Sequence, residues 1–471
     1  MRSRRPVVTR VAPSTEVLSS LSSLDPVHAR LYAMRGVTAP AELDYDLANL
    51  APVSSLENVD AAVALLREKR DEKIVIVGDF DVDGATSTAL FMRCLQDFHY
   101  ADVEYLVPNR FDYGYGLTPE IVAVATEKRP GLIVTVDNGI SSNAGVAAAS
   151  EAGIPVLITD HHLPGENIPD AAVIVNPNLP GSGFPSRHLA GVGVAFYVIA
   201  ALARALEQDG FPGAARIPAR YLDLVALGTV ADVVPLDHNN RILVEQGIRR
   251  IRAGKTVAGI RALLDQSGRD ARWIVSTDLG FAVGPRLNAA GRLDDMSLGI
   301  ECLLTDDPAK AVRDAEVLDA INRERRDIEA DMRDQAFAFV DSFGSNDLPA
   351  CVCVFEESWH QGIVGLVAAR VKERCHRPVI AFARESAGVL KGSARSVPGV
   401  HARDLLESVS CTKPGLIEKF GGHAMAAGLT MLESHFDEFA QTVSARLEGL
   451  YPDADFSGAI VTDGPLPPQS L

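Results

Sequence analysis

Apolar and polar positions along this chain recur in one order: a short β-branched run, a polar break, then a longer apolar stretch at helical spacing. Lys73 to Val77 is the clearest run and reads as a buried strand. Its polar break carries Asp79, Asp81 and Asp83, and Gly84 to Met92 then reads as a helix opening. Gly131 to Val136, Ile154 to Thr159 and Ala171 to Val175 are further apolar strands. They end at Asp137-Asn138-Gly139, Asp160-His161-His162 and Asn176-Pro177. Strands that alternate with helical stretches predict βαβ units, an α/β fold and a parallel sheet. Ligands of such sheets bind outside the carboxyl ends of the strands, where the polar residues follow run after run. Ala190 to Ala203 predicts a buried helix. Tyr221 to Asp232 predicts an apolar helix that delivers a carboxylate at its end.

Residues 255 to 345 predict mainly helix. Leu318, Ile321, Ile328 and Met332 lie near helical spacing with charges between them, so a long connecting helix with a solvated face is expected. Gly284 to Leu293 carries Arg286 and Arg292 on a glycine-punctuated loop, a candidate phosphate clamp. A second α/β unit follows. Ala350 to Phe355 and Pro378 to Ala383 predict strands, and Trp359 to Gly365 a loop that opens an apolar helix. In the strand Leu390 to Ser396, the side chains of Lys391, Ser393 and Arg395 share one face. That trio suits a phosphate, and a solvated edge strand explains it equally. Phe420 to Gly428 predicts a glycine-rich turn into a small-residue helix, whose backbone N–H groups would cradle an anion. The expected division is an N-terminal arm over 1–45, a catalytic domain over 46–255, a helical connector over 256–345 and a second domain over 346–453. Residues 454–471 then form a linker or the start of a further module.

Composition narrows the function. The 471 residues carry a formal net charge of −17, which excludes a general polyanion binder. Nucleic acid would require a local basic surface or metal ions. Six cysteines without a CxxC pattern point to reduced thiols and a cytoplasmic protein. The longest apolar stretch is too short for a membrane span. Crowded carboxylates at Asp79, Asp81 and Asp83 repel unless a positive partner neutralises them, and a hard divalent cation fits oxygen ligands best. A solvated acidic turn is the plainer alternative. Asp232 at a helix C-terminus opposes the macrodipole and again asks for a cation.

These motifs carry a resemblance. Asp79-x-Asp81-x-Asp83-Gly84, Asp137-Asn138-Gly139, Asp160-His161-His162 and the Asp232 segment resemble the DHH phosphoesterase superfamily. Gly421-Gly422-His423 with Gly428 resembles its DHHA1 domain. The motif order, the long helix, Gly114-Tyr115-Gly116-Leu117 and the Gly284 to Arg292 segment look like the superfamily's bacterial single-stranded-DNA-specific 5′→3′ exonucleases. The resemblance implies a parallel-sheet DHH domain, joined by a long helix to a smaller DHHA1 domain across a cleft. It implies two ions of Mn²⁺ or Mg²⁺ with Asp79, Asp81, Asp83, Asp137, His161 and Asp232 as ligands, Asp137 bridging. It gives His162, with Asp160, a supporting or proton-donating part. Arg286, Ser393 and Arg395, with Arg110 and His423 beside them, become candidates for the terminal and scissile phosphates. The implied substrate is single-stranded DNA, degraded to mononucleotides in repair and recombination. The implied enzyme is a monomer, with single-strand-binding protein and a helicase as candidate partners. The alternatives in the same superfamily are a nano-RNase, a cyclic-dinucleotide phosphodiesterase and a non-catalytic replication scaffold. The scaffold gives no reason to maintain so many mutually repelling carboxylates. Members of the exonuclease branch continue into an oligonucleotide-binding module where this chain stops, so a weak grip on long strands is expected.

Overall fold

The computed structural model describes residues 5–108, 116–343, 348–453, 456 and 458–466. The chain divides into two compact units, one of Ala39–Asn322 and one of Met1–Thr38 with Arg323–Leu471.

The Ala39–Asn322 unit is built on a five-stranded parallel sheet. Its spatial order is Asp102–Leu106, Lys73–Gly78, Leu132–Val136, Val156–Thr159 and Val173–Val175. The continuous β-branched runs follow from burial on both faces. Ile74 and Ile76 join one core with Phe91, Val198 and Leu224. Val75 and Val77 turn into another with Ile121 and Val146. Helices Val82–Asp97, Gly191–Gln208 and Leu222–Ala231 supply the first core. Gly191–Gln208 is long and apolar enough to cross a membrane by length and composition, but it is a core helix, 67% buried within the protein.

One strand was not anticipated, and one local expectation changes. Asp102–Leu106 is an edge strand whose Asp102 and Glu104 hid it from an apolar reading; both pair with Lys73. Gly284–Leu293 is a helix, entered through a five-residue π-helical turn at Leu279–Val283. Pro285 sits in its first turn, where its missing N–H costs nothing. Gly291 lies inside it because a Cβ there would approach the Phe80 carbonyl oxygen to 1.9 Å. The glycines and proline that suggested a loop are thus entry and packing residues.

The second unit holds a five-stranded sheet in the order Lys419–Gly422, Ala426–Leu432, Val389–Arg395, Val379–Ser386 and Val352–Phe355. It is antiparallel except for its last pair. Helices Ala402–Thr412 and Phe436–Leu450 pack Leu406, Val409, Phe439 and Val443 against Phe382, Leu390 and Leu429. The expected small-residue helix after Gly422 is therefore a strand. Ala427, Leu429 and Met431 alternate into this core, and pairing with Val389–Arg395 overrides local helical tendency. The helix Pro308–Asp341 is continuous, and the division between units falls within it. Val7–Thr9 pairs in parallel with Ile460–Thr462, and Asp463 accepts from Arg10 and Arg35 beside them.

Candidate metal centre

The site grows from the carboxyl end of the parallel sheet. After Gly78 the backbone turns at once into a helix, and Asp81 caps it by accepting from Asp83 N at 2.9 Å and Gly84 N at 3.1 Å. Asp83 falls in that helix's first turn, where a carboxylate complements the macrodipole. It is 1% exposed. Its two oxygens accept from the N–H groups of Gly191 at 2.6 Å and Val192 at 2.9 Å, at the start of the Gly191–Gln208 helix. Asp79 is buried and accepts from its neighbour Phe80 N at 2.8 Å.

Asp137 follows the Leu132–Val136 strand with φ of +61°, a left-handed turn that aspartate tolerates better than bulkier residues. Its N–H donates to Thr159 O at 3.0 Å, which ties the turn to the next strand. His161 Nε2 lies 3.2 Å from Asp137 Oδ1 and 3.6 Å from Asp232 Oδ2. Asp232 is the C-terminal cap residue of Leu222–Ala231, as its sequence position suggested. Three overlapping groups result: Asp79, Asp81 and Asp137; Asp83, His161 and Asp232; Asp137, His161 and His162. Within each, potential ligand atoms lie within 4.8 Å of one another.

The electrostatics ask for positive charge. Burial, then the neighbouring Asp232 and Asp81 carboxylates, push Asp83 well above the ordinary carboxylate range. Burial, then Asp83 and Asp81, do the same to Asp137. Burial and Asp81 push Asp232 up to about 7. Asp232 Oδ2 is a buried oxygen with no hydrogen-bond partner. Oxygen donors that repel one another, one orphaned, beside an imidazole form a set suited to a hard divalent cation.

Asp160 is different. It accepts from Ile140 N at 2.9 Å, His161 N at 2.7 Å and His162 N at 3.1 Å, and it lies 2.8 Å from His162 Nδ1. Burial alone would raise this carboxyl, but the hydrogen bond and charge of His162 hold it below its usual range. Burial also opposes the His162 cation, yet Asp160 prevails and lifts the ring to about 9. His162 Nδ1–H therefore donates to Asp160, which fixes the ring's orientation.

The phosphate candidates are distributed. Arg110 lies outside the described residues. Arg286 is held within its unit: Nη2 pairs with buried Asp319 at 2.8 Å and Nη1 donates to Ala282 O at 2.6 Å. Its helix also reaches the metal-side loop, since Asn288 Oδ1 accepts from Val82 N at 3.2 Å. Ser393, Arg395 and His423 belong to the second unit. There Arg395 Nη1 donates to Ser393 Oγ at 3.0 Å, and Lys391 on the same strand face pairs with Glu385 at 3.1 Å. Burial pushes the Arg395 guanidinium down from its usual value. His423 is exposed in the turn of the adjoining hairpin, its N–H donating to Ala426 O.

Two kinds of contributor escaped the sequence reading: the Gly191 and Val192 N–H groups, and the clearance at Gly191 and Gly228. A Cβ on Gly191 would stand 2.6 Å from the Asp137 side chain, and one on Gly228 would stand 2.9 Å from Asp83 Oδ1. The signal was Gly191-Val192-Gly193 at the mouth of an otherwise apolar helix.

Comparison with known proteins follows this division. The model of the DHH family, N-terminal domain, matches residues 73–229, and that of the DHHA1 domain matches residues 347–449. The single-stranded-DNA-specific exonuclease RecJ of Dickeya dadantii is 52% identical, over 98% of this chain and 81% of its own length. The structure of RecJ in complex with Mn²⁺ from Thermus thermophilus matches with a TM-score of 0.82 at 32% identity, covering 98% of this chain and 64% of that one. The Mg²⁺ complex from the same organism matches with a TM-score of 0.76 at 29% identity, covering 99% and 64%. This chain thus spans a little under two thirds of the Thermus protein.

Proposed function

This chain belongs to the RecJ family, and on that premise we propose that it hydrolyses single-stranded DNA from the 5′ end to mononucleotides, in repair and recombination. The observation that carries this reading is the convergence of five carboxylates and an imidazole at the carboxyl end of a parallel sheet. Asp79, Asp81, Asp83, Asp137, His161 and Asp232 are the proposed holders of two Mn²⁺ or Mg²⁺ ions. Such ions, when bound, lower the pKa of a coordinated water and stabilise in-line displacement at phosphorus. The chain's own residues do the rest. The Gly191 and Val192 N–H groups fix the Asp83 carboxylate. Asp160 orients His162 through Nδ1 and assigns Nε2 to exchange a proton with the leaving oxygen. Ser393 and Arg395, side by side, are the proposed phosphate holders with His423, and Arg286 and Arg110 complete the candidate set. A monomer in the cytoplasm, working with single-strand-binding protein and a helicase, belongs to the same reading; six unpaired cysteines accord with a reducing compartment.

Digestion of 5′-labelled and 3′-labelled single strands with Mn²⁺ or with EDTA tests it. The expected result is mononucleotide release from the 5′ end that EDTA abolishes. Cleavage confined to the shortest oligonucleotides would assign the chain to the nano-RNase class instead. Absence of any Mn²⁺-dependent hydrolysis would overturn the reading.

A further inference from the structure

Eight arginines line one open groove of ≈ 1600 Å³ in the unit that contains Arg323–Leu471. Five carboxylates line it too, which leaves a surplus of three positive charges in a chain whose net charge is −17. The lining comes from the C-terminal half of the Pro308–Asp341 helix and the end of Val364–Cys375, with Arg377 and Phe456 beyond. None of these residues belongs to the carboxylate cluster described above.

The arginines fall into two sets. Some are neutralised locally: Glu329 pairs with both Arg325 and Arg370, and Asp341 pairs with Arg374. Arg326 and Arg377 make no ion pair among the described residues, and Arg326 is exposed. Two guanidiniums also lie over aromatic rings, Arg374 at 4.5 Å from the Phe337 centroid and Arg377 at 5.0 Å from that of Phe456. Stacking occupies the face of a guanidinium and leaves its edge N–H donors to meet phosphate oxygens in pairs. A purely structural ion network has no need of surplus cations or of a stacked guanidinium without an acid beside it. A cationic groove interleaved with aromatic rings is the common physical form of a single-strand binding surface, phosphates on the cations and bases on the rings.

We propose that this groove is a second binding site for single-stranded nucleic acid, which holds a stretch of substrate strand through Arg326 and Arg377 with Phe456 as a stacking partner. The identity of the strand rests on the nuclease reading above. The test is binding of a long labelled oligo(dT) in EDTA, where nothing is cleaved, across a series of salt concentrations. The double variant Arg326→Ala, Arg377→Ala should bind about tenfold more weakly at low salt. Its log–log salt slope should fall by about 1.4, at about 0.7 for each phosphate no longer neutralised. Mn²⁺-dependent turnover of a trinucleotide should stay as in the wild type. The matching lysine variant should recover the slope and only part of the affinity. Phe456→Ala should weaken binding with the slope unchanged, because stacking releases no counterions.

Unchanged affinity and slope in the double variant would overturn the groove. Displacement of the oligonucleotide by polyglutamate at equal charge concentration would overturn the strand assignment in favour of an acidic peptide. Failure of the nuclease reading is seen separately, as a wild type that binds strand without cleaving it when Mn²⁺ is supplied.

Discussion

At the end of the parallel sheet, Asp83, Asp137 and Asp79 are 1%, 2% and 5% exposed and press like charges together. In the arginine groove, Arg374, Arg333 and Arg370 have side chains 32%, 38% and 52% exposed and sit among acids. The buried set leaves no slack. Asp79, Asp81 and Asp83 accept from particular N–H groups and Asp137 sits against the Gly191 backbone, so an altered atom there is felt by its neighbours. The groove is redundant, because water screens its charges and a neighbouring arginine can stand in for a lost one. Charge of one sign, when buried, defines a specific centre; charge of mixed sign, when exposed, makes a tolerant surface.

The sharpest way to break that contrast is Asp137→Ala, which should reduce hydrolysis by more than about 10³-fold. Near-normal turnover would show that the cluster has slack after all. In EDTA the isosteric Asp137→Asn variant should melt above the wild type, since it relieves the repulsion that burial enforces; a lower melting temperature would mean the carboxylate is structurally required even without metal. Next in size is Arg286→Ala. It takes the guanidinium away from buried Asp319 and should cost about 1–3 kcal/mol in urea unfolding; a cost under about 1 kcal/mol would place the pair with the tolerant charges. Gly191→Ala pushes a methyl group against Asp137 and should weaken Mn²⁺ binding about 10–100-fold by titration calorimetry, with the fold retained. The smallest effect belongs to the groove. Arg374→Ala, which loses a half-exposed pair with Asp341, should change stability by no more than about 1 kcal/mol.

Much of the parallel sheet was legible because strands buried on both faces write themselves as unbroken Val and Ile runs. The carboxylates that follow them were legible because they have no apolar reason to be there. What escaped lay in tertiary pairing. Asp102–Leu106 is half polar and is a strand because Lys73 and Lys128 receive its acids. The Ala426–Leu432 segment is made of small residues and is a strand because two neighbours pair with it. Gly291 looked like punctuation and is a contact surface for Phe80. At the site, the carboxylates and histidines that cluster could be singled out in advance, whereas the Gly191 and Val192 N–H groups could not, since a backbone donor has no letter of its own.

The pairing of Val7–Thr9 with Ile460–Thr462 sets an order of events during synthesis. The Ala39–Asn322 unit is one unbroken piece of chain and can close as soon as it has emerged. The other unit draws on both ends, so its first strand leaves the ribosome long before its partner exists. At about 5–20 residues per second, Val7, Val8 and their neighbours wait roughly 20–90 s. Over that interval the nascent chain carries a short apolar strand with an open edge, and whatever binds extended peptide has a claim on it before the native partner arrives.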